Sequence, residues 1–253
     1  MSRYTSDEGI VLKTSEFGEI DRIVTLFTRK RGKFQAIAKG ARKVGNRFGA
    51  SLDLFSFSEF LFYTASGMPL IVQGKIQKLF RDLLRTPLRW MAGEYLLCVL
   101  DRVFPFERRE EELLDEVLML WEIFLRHEEA VLPLLVRFRL DVARALGVFP
   151  ELRECVRCRK KITGTPCFFS IASGGVVCDS CSREAQRLFP LSLRELEVLQ
   201  ALVDTPLGYG VKSSQEDRKA FEVLDVLVAQ YLSYQGERKI PDFSSFLGRE
   251  LSW

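Results

Sequence analysis

The sequence predicts an α+β protein in which a small β-barrel is followed by a helical domain that carries an inserted four-cysteine metal site. Three observations support this fold class: short β-branched runs between glycine turns, apolar residues three and four apart beyond Pro87, and two Cys-x-x-Cys pairs that interrupt the helical pattern. We predict a barrel domain at 1–80 and a helical domain at 81–253, with the metal site at about 151–185.

The first part has the pattern of a small closed barrel. Runs of β-branched or alternating apolar residues, separated by turn formers, predict strands at 8–14, 21–28, 33–39, 53–63 and 70–76. In the fourth run, the change of parity between Phe57 and Phe60 predicts a β-bulge. Five such strands in so short a stretch favour a barrel of the oligonucleotide-binding (OB) type.

A basic segment, defined as residues 22–52, dominates this part. It holds nine of the 37 lysines and arginines and none of the 34 acidic residues, so its net charge is +9 while the other residues sum to −6. Such a segregated field favours an anionic partner such as nucleic acid, although solvated surface charge is the ordinary alternative. Aromatic rings in the segment could stack on bases. For Phe34 and Phe48 we favour the barrel core.

Beyond Pro87 the spacing of apolar residues predicts amphipathic helices. Three are expected, at 88–104, 110–126 and 130–146, and the last ends at Gly147, a plausible C-terminal cap. Acidic residues crowd the start of the second helix. They are either stabilised by the positive N-terminal end of the helix dipole or form a partner-binding face, and we favour the first interpretation.

The last part of the chain predicts helices again. Ser192 and Glu195 form a capping-box pattern that opens a helix to about residue 203. The pattern Ser214-x-x-Asp217 opens another helix, to about residue 234, which we expect to pack on the helices that precede the cysteine pairs. Residues 241–253 show no sustained period and are predicted to be irregular.

Four cysteines predict a zinc site. Cys155 and Cys158 form one pair, Cys178 and Cys181 form the other, and nineteen residues separate the pairs. Each pair brings two thiolates to one turn, and two such turns close a tetrahedron around zinc. Since four thiolates leave no open position, we expect one structural zinc ion that supplies folding free energy. Cys167 lies between the two pairs. We expect it in a buried strand, although it could substitute for one of the four ligands.

The basic residues beside the first cysteine pair are open to two interpretations. They could add a second contact with nucleic acid, or the knuckle could serve only as a scaffold, which we favour. These residues are Arg157, Arg159, Lys160 and Lys161.

Composition and residue inventory disfavour several classes of protein. No uncharged apolar run approaches the roughly 18 residues of a membrane span, and the first residues lack a signal pattern, so we expect a soluble cytoplasmic protein without membrane association. One histidine, no carboxylate pair that can be placed on a common site, and a saturated zinc disfavour an enzyme. A zinc-containing nuclease and a sequence-specific regulator remain the alternatives, although no recognition-helix pattern is evident.

The sequence resembles a known family over nearly its whole length. Residues 9–63 are similar to the N-terminal domain of RecO, the bacterial recombination mediator, and read GIVLKTSEFGEIDRIVTLFTRKRGKFQAIAKGARKVGNRFGASLDLFSFSEFLFY. After the GVFP stretch at 147–150, the motifs CVRC and GGVVCDSC resemble the zinc-bearing members of that family. The helical segments match in arrangement only.

This resemblance implies a function as well as a fold. It implies an OB-fold domain and a helical domain with a zinc knuckle, binding to single- and double-stranded DNA, and annealing of complementary strands without catalysis. It also implies partnership with RecR and single-strand-binding protein during loading of the RecA recombinase, in the bacterial cytoplasm at the nucleoid. By position, it assigns DNA contacts to Arg29, Lys30, Arg31, Lys33, Lys39, Arg42, Lys43 and Arg47.

Overall fold

The computed structural model describes residues 3–164, 166–207 and 215–250. It separates the chain into two compact units, Met1–Leu125 and Arg126–Trp253. The first unit contains the barrel and the two helices that follow it. The division into compact units therefore places no boundary at residue 80, and the predicted domains at 1–80 and 81–253 stay a prediction.

Five strands form a closed barrel in the first unit. They are β1 (Tyr4–Phe17), β2 (Asp21–Thr28), β3 (Gly32–Ala38), β4 (Ser56–Tyr63) and β5 (Leu70–Leu79). The order β1-β2-β3-β5-β4 closes because β1 pairs antiparallel with both β2 and β4, while β3 meets β5 in parallel at Ile37 and Leu70. A five-stranded barrel of this kind is OB-like, and the predicted fold class is confirmed.

The barrel core is built from the inward positions of all five strands. Phe34 and Phe48 are both 3% exposed and belong to this core, as favoured from the sequence. The ring of Phe34 meets that of Phe62 edge-on, with centroids 5.1 Å apart. Neither Phe34 nor Phe48 is therefore available to stack on a ligand.

The predicted bulge in the fourth strand is wrong. β4 begins only at Ser56, and buried and half-buried residues alternate along it without interruption. The register shifts do lie between β4 and β5, but the extra residues are Val72 and Gln77, both on β5. The apparent change of parity arises because Phe57 lies on the half-buried face of β4, whereas Phe60 and Phe62 lie on its buried face. Phe55 precedes the strand, with a φ of 63°.

Two helices pack beside the barrel within the first unit: α1 (Pro87–Val103) and α2 (Glu111–Phe124). Thr86 caps α1, and Pro87 occupies its first turn, where a missing N–H costs nothing. Trp121 of α2 is fully buried and receives the rings of Phe55 and Phe80 edge-on, at 5.5 and 5.1 Å. This aromatic cluster joins the helices to the chain on either side of β4 and β5.

The second unit combines helices with a small sheet. Its elements are α3 (Val131–Ala145), β6 (Cys167–Ser170), β7 (Gly175–Cys178), α4 (Asp179–Ser182), β8 (Leu188–Leu191), α5 (Leu193–Asp204), α6 (Gln215–Gln235) and α7 (Phe243–Glu250). The helix α3 ends at Gly147, which has a φ of 78°; the backbone N–H groups of Gly147 and Val148 bond back to Arg144 and Ala143. This Schellman cap agrees with the sequence prediction.

The capping box of α5 is present as predicted, with Ser192 and Glu195 each bonded to the other's backbone N–H. The helix α6 was also predicted, but its proposed cap, Ser214, lies outside the described residues. The prediction that residues 241–253 are irregular is wrong for the described part of this stretch, since α7 forms there; residues 251–253 lie outside the described residues. Asp242 caps it by accepting the N–H of Ser245 at 2.8 Å.

A buried ion pair fixes α7 within the second unit. Arg139 of α3 and Asp225 of α6 pair with both side chains fully buried. The second oxygen of Asp225 accepts the backbone N–H of Phe243 at 2.8 Å. One carboxylate therefore connects three helices, and these partners offset the cost of burying its charge.

Gly32 and Gly18 provide a matched test of the packing around the barrel. Both have positive φ, but a Cβ at Gly32 would lie 1.8 Å from the carbonyl oxygen of Arg108, whereas a Cβ at Gly18 would touch nothing. We expect Gly18→Ala to cost about 1 kcal/mol, the left-handed backbone penalty, and Gly32→Ala to cost clearly more. Urea unfolding of both variants measures the difference, and equal losses would contradict the packing of the Arg108 segment on β3.

Candidate nucleic-acid interface and metal centre

The eight predicted DNA-contacting residues fall into two groups at opposite ends of β2 and β3. One group lies at the β2–β3 turn: Arg29, Lys30, Arg31 and Lys33. The other lies in the connection after β3: Lys39, Arg42, Lys43 and Arg47. Since β2 runs from Asp21 to Thr28, the two ends are roughly 23 Å apart at 3.3 Å per residue. The structure therefore does not bring all eight onto one contiguous patch.

Arg29, in the turn group, is held by acidic residues of α2. Its guanidinium lies 2.7 Å from both Glu111 and Asp115. The hydrogen bond to Asp115, followed by that to Glu111, raises the pKa of Arg29 above its ordinary value. These two acids belong to the cluster that the sequence analysis interpreted mainly as complementing the helix N-terminus. Their pairing with a β-barrel arginine was not predicted.

Lys33 is buried, with only 7% of its side chain exposed. Its ammonium donates to the backbone carbonyls of Asp101 and Phe104 and lies 3.0 Å from the Asp101 carboxylate. Burial raises the pKa of Asp101, but hydrogen bonds from Lys13 and Lys33 outweigh it and leave the pKa below its ordinary value. In this structure Lys33 joins β3 to α1 and does not lie on a surface that a ligand can reach.

The other two residues of the turn group differ from each other. Lys30 is exposed, and its ammonium contacts only the backbone carbonyl of Ser6 among the described residues. Arg31 is half-buried; its guanidinium lies 4.0 Å from the ring centroid of Phe34 and 3.8 Å from Glu107. Arg29, Arg31 and Lys33 thus all have acidic neighbours, whereas Lys30 remains open.

The second group lies on what we call the basic loop, residues 39–47. Lys39, Lys43 and Arg47 are exposed, and within the described ranges none of them forms an ion pair. Arg47 instead lies against the ring of Phe48, at 5.0 Å, and its guanidinium reaches the carbonyl of Ile71 at 3.5 Å. The loop therefore presents uncompensated positive charge next to the start of β5.

Backbone bonds attach the basic loop to the β1–β2 hairpin on its other side. The N–H of Arg42 donates to the carbonyl of Ile20 at 3.0 Å, and the N–H of Gly40 donates to Asp21 at 2.7 Å. The guanidinium of Arg42 also pairs with Glu16 at 3.0 Å. The loop is thus positioned between the β1–β2 hairpin and the start of β5, where OB barrels present their ligand-binding loops.

The four predicted metal ligands lie together in the second unit. The sulfur atoms of Cys155, Cys158, Cys178 and Cys181 all lie within 4.8 Å of one another. Backbone bonds bring the two pairs together: Glu151 N–H donates to Gly174 O at 2.9 Å, and Val156 N–H donates to Val176 O at 3.0 Å. The first pair is therefore docked on the β6–β7 hairpin, whose last residue is Cys178.

Charge within the cluster calls for a cation. Burial raises the pKa of Cys155, but backbone N–H groups, led by that of Cys158, lower it to about 6. A hydrogen bond from Ser180 lowers the pKa of Cys178. Cys181 then bonds to Cys178 and to the other sulfurs, which raises its pKa to about 12. Because neighbouring thiolates repel one another, all four can be ionised only with a positive ion among them.

The geometry fits a tetrahedral metal ion. Metal–sulfur bonds of about 2.3 Å give sulfur–sulfur edges of about 3.8 Å in a regular tetrahedron, and the Cys158 and Cys178 sulfurs are 3.7 Å apart. Cys167 lies outside the cluster: it is buried on β6, and its thiol donates to the carbonyl of Leu191. The four residues named from the sequence could therefore hold a metal ion without help from Cys167.

The basic residues beside the first cysteine pair are all exposed. Arg157 pairs with Glu184 at 2.9 Å, while Arg159, Lys160 and Lys161 are exposed on the turn between Cys158 and Ile162. Arg159 adopts a φ of 61° and bonds through its N–H to Cys155 O, which shapes the turn. The second nucleic-acid contact that was considered from the sequence therefore stays a prediction.

Comparison with known proteins identifies the family. A model described as "Recombination protein O N terminal" matches residues 1–80, and one described as "Recombination protein O C terminal" matches residues 84–242. The chain belongs to the RecO family. The resemblance inferred from the sequence is therefore confirmed.

Relatives from distant bacteria match along most of their length. The chain is 31% identical over 245 residues to the DNA repair protein RecO of Symbiobacterium thermophilum, covering 95% of each. It is 33% identical over 242 residues to that of Streptomyces coelicolor, covering 92% of this chain and 94% of the relative. For Bacillus subtilis the identity is 28% over 235 residues, covering 92% and 90%. The chain is thus a member of a family of DNA repair proteins.

Among the described residues, no helix is both long enough and apolar enough to cross a membrane.

Lys33 and Lys30 provide a matched pair for testing the two environments of the turn group. Lys33→Met leaves two backbone carbonyls without a donor and removes one of the two ammonium partners of the Asp101 carboxylate, the other being Lys13. We therefore expect a loss of about 2–3 kcal/mol in the free energy of unfolding. Lys30→Met changes an exposed side chain and should stay within about 0.5 kcal/mol. Urea unfolding compares them, and equal stability of the two variants would show that the Lys33 ammonium is not a structural contact.

Proposed function

We propose that this RecO-family protein is a non-enzymatic recombination mediator that binds single- and double-stranded DNA and anneals complementary strands. The observation that carries the proposal is the basic loop, where Lys39, Lys43 and Arg47 are exposed and form no ion pair within the described residues. Exposed cations of this kind bind phosphates through release of counterions, without reading the base sequence.

The structure favours part of the DNA-binding set over the rest. Lys39, Arg42, Lys43 and Arg47 share one surface between the β1–β2 hairpin and β5. Arg42 already pairs with Glu16, so a phosphate must either displace the Glu16 carboxylate or share the Arg42 guanidinium with it. Arg29 and Lys33 are bound by acids of the helices, and we assign them to the fold. The basic loop is therefore the proposed DNA-contacting surface.

Annealing on such a surface needs no catalytic residue. Two approaching strands repel each other through their phosphates, and a cationic surface lowers that barrier by screening both strands. Pairing itself is then driven by the bases. This mechanism requires that the protein hold the backbone and leave base edges accessible, which phosphate contacts from lysines on an exposed loop allow.

We propose further that the four cysteines bind one structural Zn²⁺. Sulfur ligands in a tetrahedral set suit zinc, and four of them leave no position for water or substrate. The first cysteine pair lies on a turn that is joined to the β6–β7 hairpin by the backbone bonds at Glu151 and Val156. The ion therefore supplies binding free energy that stabilises this part of the second unit, of order 10 kcal/mol in comparable zinc modules.

Membership of the RecO family supports a place in recombinational repair in the bacterial cytoplasm. We propose that the protein acts on DNA coated by single-strand-binding protein, works with RecR, and assists loading of the RecA recombinase. The named relatives are DNA repair proteins.

Reversing one charge at each end of the barrel tests the DNA-binding surface. Lys43→Glu removes a phosphate contact from the basic loop and adds a repulsive carboxylate, so we expect the affinity for a labelled single strand to fall roughly tenfold at about 0.1 M salt. The slope of log affinity against log salt should become shallower by about 1. Fluorescence anisotropy across a salt series measures both, and annealing of complementary oligonucleotides should slow in parallel.

Lys30→Glu is the control for this test, because it makes the same change in net charge at the opposite end of β2. It should leave affinity within about twofold, since net charge alone acts weakly at a distance beyond the Debye length of about 8–10 Å. Equal losses in the two variants would mean that total charge, not the basic loop, governs binding. No loss in either would remove the basic loop as the DNA site.

Metal content tests the zinc proposal. The purified protein should contain one zinc ion per chain, Cys158→Ser should lose it and melt at a lower temperature, and Cys167→Ser should keep it. Serine at 167 can still donate to the carbonyl of Leu191, so its fold should survive. Elemental analysis and thermal melting give the result. Stoichiometric zinc in the Cys158→Ser variant would overturn the assignment of ligands.

A further inference from the structure

The tip of the β1–β2 hairpin exposes two apolar side chains. Phe17, the last residue of β1, is 46% exposed, and Ile20, the last residue of the turn, is 43% exposed. Single exposed apolar residues are common on protein surfaces and need no explanation by themselves. These two are noteworthy for their neighbours, because the hairpin that carries them is bonded to the basic loop.

Four interactions attach the hairpin to the basic loop. The backbone carbonyl of Ile20 accepts the N–H of Arg42 at 3.0 Å, and the guanidinium of Arg42 reaches the carbonyl of Gly18 at 3.4 Å. Arg42 also pairs with Glu16, and Asp21 accepts the N–H of Gly40 at 2.7 Å. The residues that flank Phe17 on both sides thus contact the loop directly. The exposed ring and the exposed cations therefore belong to one continuous surface.

The ring of Phe17 is free to receive a ligand. Within the described parts of the chain no aromatic ring and no cation lies against it. The other exposed ring of β1 differs in this respect, since Tyr4 packs on Tyr63 with centroids 5.0 Å apart. Phe106, also exposed, lies beneath the ammonium of Lys33 at 5.0 Å. Phe17 combines an open face with a cationic neighbourhood, which these other two rings do not.

We propose that Phe17 stacks on an unpaired base of single-stranded DNA whose phosphates are held by Lys39 and Lys43, with Ile20 covering the edge of the same base. This inference rests on the proposed function and deepens it. In a duplex the π-faces of the bases are already stacked, so only a single strand can offer one to the ring. The hairpin tip thus distinguishes single from double strands, while the basic loop binds both.

The three acidic residues at the hairpin tip are consistent with this arrangement, and one of them, Asp21, accepts the N–H of Gly40 at 2.7 Å. Glu16 is 73% exposed on its side chain and is paired with Arg42, so its charge is balanced within the surface. Glu19 is exposed at the turn. Carboxylates here repel phosphates, which places the backbone of the bound strand over Lys39 and Lys43 and its bases toward the hairpin tip.

The test compares Phe17→Ala with the parent protein on a single-stranded oligonucleotide and on the duplex of the same sequence. We expect affinity for the single strand to fall roughly tenfold, as for the loss of one base stack, and affinity for the duplex to change less than twofold. The salt slope should be unchanged because no phosphate contact is lost. An oligonucleotide with abasic sites throughout should bind parent and variant equally.

Phe17→Trp supplies a control that keeps a ring and adds a reporter. It should restore binding to the single strand, and its fluorescence should be quenched by the normal oligonucleotide and not by the abasic one. Equal affinity of Phe17→Ala and the parent for the single strand, or equal losses on single and double strands, would overturn the proposal. Thermal melting checks that both variants remain folded.

Failure of this inference can be separated from failure of the proposed function. If Lys43→Glu weakens DNA binding and Phe17→Ala does not, the base stack is wrong and the basic loop stands as the DNA site. If both substitutions leave binding unchanged, the DNA-binding surface itself is misplaced, and the stack fails with it.

Discussion

The N-terminal unit depends on where the cations of its basic segment find carboxylates. At the β2–β3 turn the helices supply them: Arg29 binds Glu111 and Asp115, and Lys33 binds Asp101. These pairs join the barrel to α1 and α2. The Lys33 pair is buried and costly to break, whereas the two acids that bind Arg29 are more than half exposed and contribute less. At the other end no helix of the described part of the chain supplies acids. The basic loop meets two carboxylates of the β1–β2 hairpin instead: Glu16, which pairs with Arg42, and Asp21, which accepts the N–H of Gly40. One run of positive charge thus has a structural half and a half that faces solvent.

In the second unit the corresponding constraint is the mutual repulsion of four sulfurs. The first cysteine pair and the β6–β7 hairpin are held in register by backbone bonds at Glu151 and Val156, and this register forces the four thiols to within 4.8 Å. Without a cation the cluster must keep protons, as the raised pKa of Cys181 shows. Folding of this region and binding of a metal ion are therefore coupled, because the geometry that the backbone favours is the one that the ion neutralises.

Local patterns were sufficient for most elements and for the metal cluster. The strands, the helices α1 to α3, the capping box of α5 and the two cysteine pairs all have signals within a few residues of sequence. The helix α7 also had one, since Asp242 and Ser245 form a capping pattern and Phe243 and Phe246 are spaced as one buried face. The prediction of an irregular tail overlooked these signals because the helix is only eight residues long.

The environment of Lys33 could not be predicted in this way. On β3 it has the parity of Gln35 and Ile37, which are half-buried, so alternation places it on the outer face of the barrel. It is buried because the segment around Asp101 and Phe104, far away in sequence, covers that face. In a run of nine cations nothing local distinguishes the lysine that a helix will cover from those that remain exposed. Only the packing of α1 makes that distinction.

The proposed surface combines phosphate contacts from the basic loop with a single base stack at Phe17, and this combination affects how annealing can work. A surface that bound many bases by stacking would hold a single strand tightly and hide the edges that its complement must reach. Lysines on a loop instead contact phosphates, and such contacts exchange readily with counterions. On the proposed function, a single ring at the hairpin tip would cover one base and leave its neighbours open. On that proposal, strands held in this way would remain available for pairing, and the duplex that forms would lose the stacking contact and keep the electrostatic one.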